Sequence, residues 1–162
     1  MRNTTGKKLV ILVALAALVI LTSMVYSHCQ IPCGIYGDPQ RFDMIAENIT
    51  TIEKSMKQIT ELSQESKPNM NQIVRWVQNK EEHADDIGHI VTFYFMSQRI
   101  NPVSKSDAKT YAEYVRKLTL LHEMLVYSMK AKQTTDLSNV AKLRALLKEF
   151  ETAYLGDADH KH

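Results

Sequence analysis

The stretch Gly37-Asp38-Pro39-Gln40-Arg41-Phe42-Asp43-Met44-Ile45-Ala46-Glu47-Asn48-Ile49-Thr50-Thr51-Ile52 decides the fold. It opens on a helix start, since Asp38 is suited to cap and Pro39 to take the first helical position. From Phe42 the apolar residues recur at steps of three and four through Ile45, Ile49, Ile52, Met56, Ile59 and Leu62. At about 3.6 residues per turn such positions share one face, so the pattern is a single apolar stripe on a long helix. Ser66-Lys67-Pro68 should end it.

Downstream the same pattern returns three times. Asn69, with Gln72 three residues on as a capping partner, opens a second helix. Its apolar face reads Ile73, Val77, Ala84, Ile87, Val91, Tyr94 and Phe95, around a charged middle at Lys80-Glu81-Glu82-His83, and Asn101-Pro102 ends it. Ser104-Lys105-Ser106-Asp107 is a capping-box pattern for a third helix. Its stripe is Tyr111, Tyr114, Val115, Leu118, Leu121, Met124, Leu125 and Met129. Thr135-Asp136 opens a fourth, striped by Val140, Leu143, Leu147, Phe150 and Tyr154 and ended by Gly156. Alternating, strand-like runs are absent. Four amphipathic helices joined by short loops predict an all-α domain, an antiparallel up-down-up-down four-helix bundle over residues 37–156. The polar tail 157–162 follows it.

Upstream, residues 1–27 have the pattern of a secretory signal peptide. Arg2, Lys7 and Lys8 form a positive start, Leu9 to Tyr26 is almost wholly apolar, and Val25-Tyr26-Ser27 suits cleavage after Ser27. About 18 apolar residues are also enough, at the short edge, to anchor an uncleaved chain in a bilayer. Removal of the leader leaves 17 Lys+Arg against 18 Asp+Glu, a near-neutral domain. With no basic patch, nucleic acid is not an expected partner.

Between leader and bundle lies His28-Cys29-Gln30-Ile31-Pro32-Cys33-Gly34-Ile35-Tyr36, which holds both cysteines of the chain. Cleavage after Ser27 would turn His28 into a free N-terminus. Residues 28–36 could then offer an amine, an imidazole, a backbone amide and two thiolates to one metal ion, with Pro32 and Gly34 making the chain reversal cheap. Four in-plane nitrogen and sulfur donors favour a square-planar ion such as Ni(II) or Cu(II). A disulfide between Cys29 and Cys33 is the competing use of the pair in an exported chain.

His-Cys-x-x-Pro-Cys-Gly-x-Tyr at a processed N-terminus resembles the metal hook of the nickel-containing superoxide dismutases. His28, Cys29, Pro32, Cys33, Gly34 and Tyr36 match the motif; Gln30 stands where family members often carry an acid, and Gly37 is an extra residue. The resemblance implies one nickel ion per subunit, cycling between Ni(II) and Ni(III) as superoxide is converted to dioxygen and hydrogen peroxide. It implies ligands from His28 (amine and imidazole), Cys29 (thiolate and amide nitrogen) and Cys33 (thiolate), with Tyr36 near the open face. It also implies a glutamate on the first helix and an arginine on the second that steer the imidazole. Glu47 is the nearest acid on the first helix, although one alignment puts Ile45 there. On the second helix His83, Lys80 and Arg75 compete for the arginine's place.

The partners that follow are superoxide, further copies of the chain in a homohexamer, and a peptidase that removes the leader. Export to the periplasm or the extracellular space is expected, with a membrane tether if the leader stays and a cytoplasmic location if it is a non-export propeptide. The alternative function is a non-enzymatic bundle, carrying metal or tethered to a membrane, that acts as an interaction module.

Overall fold

A computed structural model describes residues 37–156 of the chain. The leader 1–27, the hook 28–36 and the tail 157–162 lie outside the described residues. The stripe that opens the bundle is buried as its spacing predicts: in α1 (Asp38–Ser63) Phe42, Ile45, Ile49, Ile52 and Met56 lie in the core. The second helix, α2 (Met70–His89), runs without a break into a π-helical segment (Ile90–Arg99). Then come α3 (Ala108–Gln133) and α4 (Leu137–Leu155). Among the described residues no strand occurs. The described residues form an all-helical bundle.

Each helix packs on its sequence neighbour, and α1 meets α4 to close the ring. The contacts descend along one helix as they climb the next. Ser55 meets Asn79, Asn48 meets His83 and Asp38 meets Tyr94 between α1 and the second helix with its π-helical extension. Lys80 meets Ala131 and Gly88 approaches Leu125 between α2 and α3. Phe95 centres an aromatic cluster with Phe42 at 5.1 Å, Phe150 at 4.9 Å and Tyr154 at 5.6 Å between ring centroids. Full burial of such a side chain contributes about 1.5–3 kcal/mol, so this cluster firmly fixes the end of the bundle where α1 begins and α4 ends.

Helix ends follow local chemistry at Asn69, whose Oδ1 accepts from the Gln72 amide, and at Asp136, which accepts from the Ser138 amide. Two expected caps are overturned. Asp38 does not cap: Gly37 holds the cap position without a side-chain bond, and Asp38 is the first helical residue. The third helix is capped by Asp107 itself, whose carboxylate accepts from the Lys109 and Thr110 amides, rather than by Ser104. Val115 and Met129, placed on the α3 stripe by spacing, are exposed, and Leu120 is buried instead. No helix among the described residues is long and apolar enough to cross a membrane.

Candidate metal centre

The expected ligands His28, Cys29 and Cys33, the turn residues Pro32 and Gly34, and Tyr36 all lie outside the described residues. Within them, no group of three or more His, Cys, Asp or Glu side chains is placed to hold a metal ion. Asp86 and His89, three residues apart on α2, are both exposed, and no third such donor is placed with them to hold a metal. The donor set at 28–33 fits nickel by its chemistry: two thiolates, an imidazole, an amine and an amide are soft and nitrogen donors of the kind that bind late transition metals.

The described residues do bring the two steering candidates together. Glu47 on α1 and His83 on α2 line one cleft of about 360 Å³, with Arg41, Asn48, Asp86 and His89. Glu47 is exposed there, whereas Ile45 is wholly buried in the core. Spacing makes the difference, because Ile45 belongs to the apolar stripe and Glu47 stands two residues round the helix from it. His83 Nδ1 lies 2.6 Å from Asn48 Oδ1. With Asn48 Oδ1 as acceptor, the tautomer that makes this bond carries its proton on Nδ1. Asn48-Ile49-Thr50 also fits a glycosylation sequon, but its asparagine is buried against the imidazole.

The two rival cations on α2 are not in the cleft. Arg75 is exposed nearer the start of the helix. Lys80, in the charged middle of α2, is only 3% exposed. Its ammonium donates to the carbonyls of Ala131, at 2.7 Å, and of Lys132 and Thr134. Those groups end α3, where helical carbonyls lack backbone partners and the dipole favours a cation. Lys80 is therefore a C-terminal cap delivered from another helix.

A second polar cluster was not foreseen. Asp38 Oδ1 accepts from the Tyr94 hydroxyl at 2.5 Å and Oδ2 from the Tyr154 hydroxyl at 2.8 Å. Arg99 Nε stands 3.1 Å from Asp38 Oδ1, an ion pair off the hydrogen-bond line, while its Nη2 donates to the Tyr94 oxygen at 3.0 Å. Burial pushes both tyrosine hydroxyls above their ordinary pKa, and acceptance by Asp38 adds to it. The only local signal was the Asp-Pro step, and it read as a cap.

The family model for the nickel-containing superoxide dismutases matches residues 23–157, which takes in residues 28–36 and the four helices of the described residues. No curated protein and no solved structure matches the chain.

Proposed function

Because the chain belongs to the nickel-containing superoxide dismutase family and is an oxidoreductase acting on superoxide, we propose that its catalytic centre is the hook at residues 28–36. The observation that carries this is the match over residues 23–157, which includes both cysteines of the chain and the histidine beside the first. His28 would hold the metal through its α-amine and imidazole, Cys29 through its thiolate and amide nitrogen, and Cys33 through its thiolate. Bound there, nickel supplies the one-electron Ni(II)/Ni(III) couple that lets one superoxide leave as dioxygen and a second, with two protons, leave as hydrogen peroxide.

The chain's own contributions are separable. The anionic thiolates and amide donate charge and so favour the higher oxidation state; neighbours of the ligands tune it further. Pro32 and Gly34 turn the hook. Tyr36 holds water or a small anion near the metal and limits access. One nickel per chain follows from one hook per chain. The free α-amine of His28 requires removal of residues 1–27 by a peptidase, and the apolar leader favours export to the periplasm or beyond. Assembly of the bundles into a homohexamer would shield the thiolates from the peroxide product, which would otherwise oxidise them.

Intact mass of the native protein, recorded with and without a chelator, tests this. The expected mass begins at His28 and carries one nickel, and Cys33→Ser loses both the metal and superoxide consumption. A retained leader, or a Cys29–Cys33 disulfide in metal-loaded protein, would overturn the hook as the catalytic centre.

A further inference from the structure

Asp38 is separated from Tyr36, the last residue of the hook, by a single glycine. It is also the first residue of α1. The opening turn of a helix has unpartnered amides and frays readily. Here that turn is tied to two distant elements. Tyr154 reaches Asp38 from the end of α4, and Tyr94 and Arg99 reach it from the π-helical segment. Two guanidinium groups approach the Tyr94 ring, Arg41 at 5.0 Å and Arg99 at 4.8 Å from its centroid.

The π-helical conformation is what makes the double contact possible. Tyr94 and Arg99 are five residues apart. On an α-helix residues so spaced point roughly 140° away from each other. In a π-helix the hydrogen bonds run between residues five apart, so such residues follow one another along one side. Ser97 Oγ and Gln98 Nε2 each donate at 2.7 Å to the carbonyl five residues back, which ties the widened turn in place. π-Helical turns are rare and are frequent at functional sites. This one aims two side chains at a single carboxylate.

The aromatic cluster of Phe42, Phe95 and Phe150 already packs this end of the bundle. The polar cluster shares this packing through Tyr154 and Tyr94 and extends it to Asp38, on the first turn of α1. We propose that Asp38 is a positioning residue for the metal hook: clamped by Tyr94, Arg99 and Tyr154, it locks the first turn of α1 and so fixes the point from which residues 28–36 leave the bundle. This role rests on the hook holding nickel, as proposed above. Metal sites tolerate little looseness in their supporting shell, so a base that frays would release the metal faster.

The test uses nickel-loaded mature protein and follows transfer of nickel to a chelator, with thermal unfolding measured in parallel. Asp38→Asn and Tyr154→Phe are expected to stay folded and to release nickel about tenfold faster, the factor set by losing one hydrogen bond to a charged group. Ile52→Val, in the core of α1, serves as the control: it lowers the melting temperature and leaves nickel release at the wild-type rate. The electron paramagnetic resonance spectrum of the oxidised metal should change in Asp38→Asn and not in Ile52→Val. Wild-type release from both clamp variants, or equally fast release from Ile52→Val, would overturn the clamp while leaving the hook intact. Nickel retained in Cys33→Ser would instead overturn the hook, and the clamp with it.

Discussion

The hydroxyl of Tyr154 donates to Oδ2 of Asp38 at 2.8 Å, joining residues 116 positions apart. Burial holds the Tyr154 and Tyr94 hydroxyls above the ordinary phenol value of 10.0. The folded state therefore favours the protonated phenols. Their contribution to stability is complete below about pH 10 and is lost as pH rises through the folded values. In an ultraviolet absorbance titration two tyrosines should resist ionisation until the bundle unfolds. Tyr154→Phe should leave only one such tyrosine and flatten the alkaline loss of stability. Ordinary ionisation of every tyrosine in the folded protein would contradict the buried clamp.

Lys80 is predicted to matter to stability and not to catalysis. Its ammonium is the shared donor for three carbonyls that end α3. Lys80→Met keeps the aliphatic stem and removes the donors, leaving buried acceptors unpaired. A loss of about 3 kcal/mol in urea denaturation is expected. Nickel content and turnover of the folded fraction should be unchanged. A loss below about 1 kcal/mol would mean that water replaces the ammonium at those carbonyls.

At acid pH the dependence runs the other way. Lys57 and Arg144 hold the Glu53 carboxyl below its usual range through hydrogen bonds. Bonds from Thr110 lower Asp107, and bonds from Ser138 lower Asp136. A depressed carboxyl stabilises the fold above its unfolded pKa, and the contribution fades as pH falls through the folded value. Stability should therefore be level above about pH 5 and decline below about pH 4, where unfolded carboxylates begin to take up protons. Glu53→Gln combined with Asp107→Asn and Asp136→Asn should make that decline shallower. An unchanged slope in urea midpoints against pH would show that other carboxylates carry it.

The four helices were legible in the sequence because an amphipathic stripe is a repeated local signal: Phe42 to Met56 is buried as the spacing requires. Caps at Asn69 and Asp136 were legible for the same reason, since each bonds an amide within three residues. What failed depended on partners far along the chain. Asp38 read as a cap because Tyr94 and Tyr154, 56 and 116 positions away, leave no trace beside it. Lys80 read as a candidate for the steering arginine's place because its acceptors, at the end of α3, leave no trace beside it. The stripe of Val91, Tyr94 and Phe95 fitted an ordinary helix, and no glycine or proline between residues 90 and 99 marks the π-helical widening. Of the steering candidates, the sequence offered Glu47, Ile45, His83, Lys80 and Arg75 without deciding among them. Packing sorts them, sending Ile45 to the core, Lys80 to the end of α3, and Glu47 and His83 to one cleft.

That sorting leads to a prediction about Glu47 and His83 as positioning residues for the His28 imidazole. A residue that orients a ligand through a hydrogen bond changes rate and potential more than occupancy, because the ligand atoms themselves are untouched. Glu47→Ala should lower superoxide turnover at least about tenfold while nickel content stays near one per chain. Glu47→Gln, which keeps an acceptor of the same length, should recover part of the loss. His83→Ala should behave likewise, and Asn48→Ala should mimic it more weakly, because Asn48 Oδ1 lies 2.6 Å from Nδ1 of His83 and holds the ring. Nickel analysis and turnover measured on the same samples separate the cases. Equal loss of metal and activity would make Glu47 a ligand or a folding residue. Unchanged activity in both Glu47→Ala and His83→Ala would remove this cleft from control of the imidazole and leave that task to residues outside it.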